Sequence, residues 1–220
     1  MRSVKDNPFC LPNIANRFTR NIALVDVDSS RFPNLALMKL SAWHRAAGDH
    51  VEWHQPEKHY DRAYTSKVFT ESPAYSVPIL ADEVVRGGTG YGQKNKLPGT
   101  VEQMCPDYSL YPQYREAYGF LTRGCPRACP FCIVSEKEGR ASRQVGDLDG
   151  FYRGQKAIKL LDPNLLACPD RERLLLQLAT SGAKVDFTQG LDIRLCKDVM
   201  PLLLDIKIKS TLPGIIRKRI

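Results

Sequence analysis

Short apolar segments alternate with helical patterns along this sequence, and that alternation constrains the fold more than any other feature. Residues 21–28 form an apolar, β-branched run that is typical of a buried strand. A helical pattern follows, with Leu37 and Leu40 on one face and Gly48 as its stop. Further short strands are predicted at 50–54 and 63–69, and a helix or a turn at 80–86. This order of strand and helix predicts a small α/β layer.

The second half of the chain repeats the pattern more regularly. Its clearest helix is predicted at 170–181, where leucines share one face and Gly182 stands just past the end. Strands are predicted at 118–122, 157–161, 185–188 and 206–209. Strands that alternate with helices pair in parallel through right-handed crossovers, and such folds place their chemistry at the carboxyl ends of the strands.

These patterns divide the chain into three parts. Residues 1–92 are predicted to form a small open α/β layer, and residues 117–220 a second α/β unit of parallel strands that alternate with helices. Between them, residues 93–116 are rich in proline, tyrosine and polar residues without a sustained period, which predicts a linker. The fold class is therefore α/β.

Composition narrows the cellular setting. The chain has no long uncharged apolar run, and its first residues lack the apolar core of a signal peptide, so we expect a soluble cytoplasmic protein without membrane contact. Seven cysteines is an odd number, and four of them are scattered singly while three are clustered. In a reducing compartment, a cluster of cysteines indicates metal binding rather than disulfides.

The net charge of +8 suggests nucleic-acid binding at first sight. Five basic residues without an acidic partner lie within 206–220, and they are Lys207, Lys209, Arg217, Lys218 and Arg219. The rest of the chain carries only a small excess of positive charge, which argues against a nucleic-acid partner.

The clustered residues Cys125, Cys129 and Cys132 have the spacing C-x3-C-x2-C, which leaves a metal site one ligand short. Zinc would require a fourth ligand, for which Cys105 or Cys168 is available, in a closed structural site. A four-iron cluster can instead take three cysteines and keep one iron open for another molecule. Both metals fit the residue types.

With Phe131 just before the last cysteine, this motif resembles that of the radical S-adenosylmethionine superfamily, and the resemblance covers residues 117–209. It implies a partial radical S-adenosylmethionine barrel with a 4Fe-4S cluster on the three cysteines. It also implies that the open iron binds the amino and carboxylate groups of S-adenosylmethionine, and that an electron from the reduced cluster cleaves the sulfonium to methionine and a 5′-deoxyadenosyl radical.

The resemblance also implies roles for residues at two strand ends. Asp162 or Asn164 stands where the family receives the ammonium of the bound methionine, although the usual Gly-Gly-Glu is absent. Gln189, Asp192 and Arg194 match positions that contact the ribose or the carboxylate. In the alternative interpretation, both segments are ordinary turns that cap the start of a helix. No catalytic residue is assigned.

Many members of the superfamily carry an N-terminal doubly wound domain that binds cobalamin, and residues 20–92 are similar in order and position. The cobalamin signature D-x-H-x-x-G is absent, because no histidine has an aspartate two residues before it. Any cobalamin would therefore bind without a histidine ligand, and a degenerate, substrate-facing or structural layer is favoured.

The length from Tyr118 to Ile220 allows three or four β/α units at about 30 residues each, whereas the barrels of this superfamily usually have six. We therefore expect a truncated barrel with intact cluster ligands and weak or no turnover. The function predicted is reductive cleavage of S-adenosylmethionine to start radical chemistry on an unknown substrate, with flavodoxin or ferredoxin as the reductant. The alternatives are a zinc-stabilised nucleic-acid binding module and an inactive remnant.

Overall fold

The structure is a computed structural model that describes residues 19–28, 32–92 and 95–209. The chain forms two compact units, the first ending at Pro112 and the second beginning at Gln113. Each unit contains a four-stranded parallel sheet, which confirms the α/β fold class. Within the described ranges, no helix has the length and apolarity that crossing a bilayer requires.

The first unit is built on one parallel sheet. Its elements are β1 (Asn21–Asp26), α1 (Leu35–Ala46), β2 (His50–Trp53), β3 (Tyr60–Ser66), β4 (Ala81–Gly87) and α2 (Gly99–Glu102). The strand order is β2-β1-β3-β4, and every neighbouring pair is parallel. Helix α1 connects β1 with β2, whereas the connections at 54–59 and 67–80 contain no helix.

Helix α1 is capped at its start, and Gly48 follows its last turn as the sequence predicts. The side-chain oxygen of Asn34 caps the helix by accepting from the backbone nitrogen of Leu37 at 3.3 Å. The same side chain donates through Nδ2 to Oγ of Ser66 at 3.0 Å, which ties the start of the helix to the end of β3. At the other end, Gly48 takes a φ of +83°, a conformation that glycine adopts without strain.

Two predictions about this unit need correction. Residues 80–86 were expected to form a helix or a turn, but residues 81–86 lie in β4, which pairs in parallel with β3. Strand β4 is an edge strand with mostly exposed side chains, so backbone pairing decides its conformation rather than an apolar pattern. Strand β3 also begins at Tyr60, three residues before the predicted start.

Part of the segment 93–116, predicted as a linker, packs within the first unit. Nζ of Lys39 on α1 donates to Oε1 of Glu102 at 3.1 Å. Oγ of Ser41, two residues further along the helix, donates to Oδ2 of Asp107 at 2.6 Å. These contacts attach α2 and the residues that follow it to the buried helix α1.

The second unit contains a parallel sheet and a small antiparallel pair. Its elements are β5 (Ala117–Gly119), β6 (Thr122–Arg123), α3 (Val134–Lys137), β7 (Arg143–Gln144), β8 (Ala157–Leu160), α4 (Arg171–Ser181), β9 (Lys184–Phe187), α5 (Met200–Asp205) and β10 (Lys207–Ile208). The parallel sheet has the order β10-β9-β8-β5, and β6 pairs with β7 in the antiparallel direction. Single turns of 3₁₀ helix lie at Tyr108–Leu110 in the first unit and, in the second, at Leu148–Gly150, Leu165–Ala167, Ile193–Leu195 and Lys197–Val199.

Helix α4 covers one face of this sheet and confirms the helix predicted at 170–181. Its buried leucines join a core with the apolar residues of the strands, including Leu174, Leu175, Leu178, Ile158, Leu160 and Val185. Gly182 ends the helix with a φ of +64°, as a glycine after the last turn does. The amphipathic pattern was therefore sufficient to place this helix.

The strand predicted at 118–122 is interrupted. Strand β5 ends at Gly119, and the chain turns before Thr122 opens the separate strand β6. A side chain at position 119 would overlap the ring of Phe151, so the glycine allows this close packing. The interruption directs the residues after it out of the sheet and towards β7.

Candidate metal and cofactor site

Three neighbouring strands of the second sheet end at the same edge. Strands β5, β8 and β9 are adjacent and parallel, so the segments that follow them lie side by side. The residues 124–133, called the cysteine loop below, follow β5 and β6. All the candidate site residues of the sequence therefore belong to segments that leave one edge of one sheet.

The carboxylate of Glu138 holds the start of the cysteine loop through two hydrogen bonds. One of its carboxylate oxygens accepts from Nη1 of Arg123 at 2.7 Å, and the other accepts from the backbone nitrogen of Gly124 at 3.1 Å. Gly124 has a φ of +88°, and a Cβ there would overlap the carbonyl oxygen of Ala141. Only glycine can therefore adopt the backbone conformation with which the cysteine loop begins.

The three cysteines of the loop are partly buried and are not in disulfides. The backbone nitrogen of Cys125 donates to the carbonyl oxygen of Gly139 at 3.1 Å, and that of Cys132 donates to the carbonyl oxygen of Cys129 at 2.9 Å. The described residues contain no group of three or more histidine, cysteine, aspartate or glutamate side chains placed to hold a metal ion. The thiols are thus in one loop but are not gathered around a common centre.

Asp162, after β8, is a buried carboxylate with three donors from the neighbouring segment. It accepts from the backbone nitrogens of Leu121 at 3.2 Å and of Thr122 at 2.5 Å, and from Oγ1 of Thr122 at 2.7 Å. Burial raises the pKa of Asp162 to about 6, although these hydrogen bonds oppose the rise. Its carboxylate therefore fastens the turn that leads into β6.

Asn164 lies two residues further and contacts the cysteine loop directly. Its Nδ2 is 3.6 Å from Sγ of Cys125, which is hydrogen-bond range for sulfur. Its Oδ1 is buried and has no hydrogen-bond partner among the described residues. Buried polar atoms are almost always paired in folded proteins, so this unpaired oxygen at the edge of the sheet is a candidate ligand contact.

An ion-pair group joins the cysteine loop to the segment after β9. Asp192 accepts from Nε of Arg127 at 2.5 Å and from Nε of Arg194 at 2.8 Å. These hydrogen bonds, first that of Arg194, hold the pKa of the Asp192 carboxyl well below its usual range. Gln189 is exposed in the turn at the end of β9. The structure therefore brings Asp192 and Arg194 to the loop.

Phe131, the aromatic residue of the cysteine motif, is 92% exposed. Ile193, in the segment after β9, is 82% exposed. Apolar side chains of this size are exposed at a cost unless they meet another surface or a ligand. Both belong to segments at the same strand edge as the cysteines.

A row of polar side chains that was not predicted from the sequence crosses the sheet below this edge. Tyr118, Lys159 and Asp186 occupy paired positions on β5, β8 and β9, and they alternate with residues of the core that α4 covers. Nζ of Lys159 lies 3.6 Å from Oδ2 of Asp186 and 4.0 Å from Oε2 of Glu116. Burial, followed by the charges of Tyr114, Glu116 and Asp186, raises the pKa of Tyr118 to about 12. The alternation of polar and apolar residues in the strands was the available signal.

The remaining cysteines of this unit lie in its apolar core. Cys168 is 1% exposed and Cys196 is 8% exposed, and both belong to the cluster under α4. Burial raises the pKa of both thiols, which disfavours the thiolate that a metal requires. Cys168 is therefore poorly suited to be the fourth ligand of a zinc site.

The fold of the chain is mixed α/β with parallel sheets, and it is similar to the fold of a solved structure. That structure is a radical S-adenosylmethionine methyltransferase, TsrM from Kitasatospora setae, with cobalamin and a 4Fe-4S cluster bound. The TM-score is 0.53 at 12% identity, over 86% of this chain and 55% of the methyltransferase. At this identity the likeness concerns the fold. No protein-family model and no curated protein sequence matches the chain.

Proposed function

We propose that the second unit binds a 4Fe-4S cluster through Cys125, Cys129 and Cys132 and binds S-adenosylmethionine beside it. The observation that carries this proposal is the contact of Asn164 with Cys125, which joins an unpaired buried acceptor to a cysteine of a C-x3-C-x2-C motif. The likeness of fold to the methyltransferase supports it. The chemistry that such a cluster would supply is one-electron reduction of the sulfonium, which gives methionine and a 5′-deoxyadenosyl radical.

The residue types of the cysteine loop fit a three-cysteine cluster. Thiolates are the ligands that iron-sulfur clusters use, and the core positions of Cys168 and Cys196 leave the loop cysteines as the accessible set in this unit. Because the three thiols are not gathered in this structure, we expect the loop to rearrange when the cluster is inserted. Gly124 and Glu138 would hold its entry fixed during that change.

We propose that different residues around the cysteine loop bind different groups of S-adenosylmethionine. The carboxylate of Asp162 already accepts three hydrogen bonds, so Asn164 is the acceptor that we propose for the methionine ammonium. Arg194, which is exposed, would bind the methionine carboxylate while Asp192 orients its guanidinium. Gln189 and Phe131 would contact the nucleoside from the open side of the site.

The proposed function also includes an electron donor and a role for the first unit. We propose that flavodoxin or ferredoxin supplies the electron, and that residues outside this strand edge select the substrate. TsrM contains cobalamin, whereas the first unit here lacks the D-x-H-x-x-G signature, and we propose that it serves as a substrate-facing or structural layer. Cobalamin titration of the purified protein, followed by its absorbance, would contradict this if binding were stoichiometric.

Anaerobic reconstitution with iron and sulfide tests the proposed function. We expect a brown protein that contains iron and sulfide in equal amounts and that forms 5′-deoxyadenosine from S-adenosylmethionine when dithionite is added. Cys129→Ala should abolish iron loading, whereas Cys105→Ala, which removes a partly buried thiol from the first unit, should load normally. Retention of zinc with no loading of iron would refute the proposal.

A further inference from the structure

Residues 67–80, called the strap below, connect β3 with β4 without a helix. In a sheet of the order β2-β1-β3-β4, right-handed crossovers place α1 on one face and the strap on the opposite face. Ile79 of the strap packs against the buried residues Ala23, Tyr60 and Ala63. The strap therefore covers part of the sheet face that α1 does not cover.

Asp28 and His54 hold the strap through hydrogen bonds of different chemistry. The carboxylate of Asp28 accepts from the backbone nitrogen of Phe69 at 3.3 Å and from Oγ of Ser72, near the start of the strap. In the middle of the strap, the hydroxyl of Tyr75 lies 2.9 Å from Nδ1 of His54, the residue that follows β2. Histidine is the side chain whose charge changes near neutral pH, so the second attachment can respond to pH.

Two polar atoms beside the strap are buried without a hydrogen-bond partner among the described residues. They are Nε2 of His54 and Oγ1 of Thr65. Thr65 is 3% exposed, and it faces the strap side of the sheet, because its neighbour Tyr64 contacts His44 of α1 on the other side. Buried polar atoms are almost always paired in folded proteins, and water would pair both of these atoms if the strap moved away. The closed position of the strap therefore carries a penalty that opening removes.

Protonation of His54 would add to that penalty. Its ring is flanked by two tyrosines, Tyr75 at 5.7 Å and Tyr60 at 6.0 Å between ring centroids. The carboxylate of Glu52, to which Tyr60 donates at 3.0 Å, is already paired with Nζ of Lys58 at 2.5 Å. Burial lowers the pKa of His54, so the imidazole beside the closed strap is neutral at pH 7. A second proton would leave a charged N–H at Nε2 without an acceptor.

We propose that His54 is a pH-sensitive latch, which holds the strap closed through Tyr75 as a neutral imidazole and releases it when it is protonated. Release uncovers a sheet face that includes Ala23 and Ala63, and it hydrates Nε2 of His54 and Oγ1 of Thr65. Because the closed state binds the proton more weakly than the open state, closure is strongest above the ordinary histidine pKa of about 6.5 and weakens as the pH falls below it. The latch lies in the first unit and does not depend on the proposed cluster.

A thiol at position 65 would report the opening of the strap. Thr65→Cys places it on the covered face, and its rate of reaction with a pyridyl disulfide, measured by mass spectrometry of the labelled peptide, follows its exposure. The reporter is combined with His54→Gln, which keeps groups for a hydrogen bond but does not titrate. It is also combined with His59→Gln as the matched control, because His59 is exposed and pairs with Asp82 outside the strap. Every rate is taken relative to that of His54→Gln at the same pH, which cancels the pH dependence of the thiol.

We expect this relative rate to rise about three- to tenfold from about pH 7.5 to about pH 5.5 when His54 is present, the upper limit being set by a histidine pKa near 6.5 in the open state. The His59→Gln control should show the same rise. Tyr75→Phe removes the hydroxyl that contacts Nδ1 of His54, and it should raise the rate about threefold at neutral pH.

A relative rate that is the same at both pH values would overturn the latch, because His54 would then not control the opening. An unchanged rate in Tyr75→Phe would overturn it as well. If circular dichroism shows that His54→Gln does not fold, Tyr75→Phe and a magnetic resonance titration of His54 decide: a lowered pKa with faster labelling supports the latch, and any other result refutes it. Iron loading does not enter these measurements, so the latch and the proposed function are tested separately.

Discussion

Nε of Arg127 lies 2.5 Å from Oδ2 of Asp192, and this ion pair joins the cysteine loop to the segment after β9. Arg194 pairs with the same carboxylate, so one acidic side chain orients two guanidinium groups beside the motif. The sequence separation of 65 residues means that only the adjacent placement of β5, β8 and β9 brings these groups together. The order of the cysteine loop therefore depends on the fold of the whole second unit.

Removal of this carboxylate should loosen the cysteine loop. We expect Asp192→Ala to raise the alkylation rate of the loop cysteines by up to about fivefold, which is the range that a surface ion pair controls. Asp198→Ala is the control, because it breaks the exposed pair with Arg171, whose charged atoms are 3.7 Å apart. Mass spectrometry of the alkylated cysteines gives the rates, and equal rates in the two variants would contradict this role.

Replacement of Gly124 at the start of the cysteine loop should destabilise the protein more than replacement of a glycine that has open space around it. Gly124→Ala imposes a left-handed φ on alanine, at about 1–2 kcal/mol, and adds the overlap with the carbonyl oxygen of Ala141. Gly154→Ala tests the φ alone, since Gly154 has a φ of +83° and open space around its Cβ position. Urea unfolding should show a clearly larger loss of stability for Gly124→Ala. Equal losses would mean that the neighbouring carbonyl moves away.

The raised pKa of Asp162 should appear in the pH dependence of stability. The folded pKa of about 6 lies above the ordinary value of 3.8, so the native state binds the proton more tightly. This group therefore favours folding most below about pH 4, and its contribution is lost as the pH rises through 6, by on the order of 3 kcal/mol in total.

Asp162→Asn isolates that contribution, because it cannot titrate and changes stability by a constant amount. The difference in unfolding free energy between wild type and variant should therefore shift in favour of the variant from about pH 4 to pH 7. Urea unfolding at several pH values measures it. A difference that is independent of pH would show that the pKa of Asp162 is not raised.

His44 should be essential to the stability of the first unit. It is fully buried, its Nδ1 lies 2.6 Å from Oδ2 of Asp49, and its Nε2 lies 2.9 Å from the hydroxyl of Tyr64. A carboxylate only accepts hydrogen bonds, so Nδ1 of His44 donates to Asp49, and Nε2 of the neutral imidazole then accepts from the Tyr64 hydroxyl.

His44→Phe removes both contacts and leaves a buried carboxylate without this donor, so we expect a loss of about 3 kcal/mol in unfolding free energy. His59→Ala, which breaks an exposed pair with Asp82, should change stability by less than about 0.5 kcal/mol. Adding Asp49→Asn to His44→Phe should recover part of the loss. Additive losses in the double variant would show that the two residues are not coupled.

Patterns with a strong local cause were predictable from the sequence. The leucines of 170–181 repeat with the period of a helix, and Gly182 marks its end, so α4 was placed to within one residue. Strand β4 was missed because ADEVVRG has neither an apolar alternation nor a turn signal, and only pairing with β3 makes it extended. Strand β5 was predicted too long, and the local pattern could not show that Gly119 at its end packs against Phe151, which lies more than thirty positions away.

Some features of the candidate site were likewise predictable from the sequence, and others depend on the tertiary structure. The sequence by itself determined the three cysteines of one loop, the polar residues after β8 and β9, and the α/β class, because spacing and periodicity are local properties. Only the tertiary structure decided that Asp162 anchors a turn while Asn164 faces Cys125, and that Arg127 pairs with Asp192. Neighbouring residues of one segment diverge in this way because hydrogen-bond partners and burial come from adjacent strands, which the sequence does not specify locally.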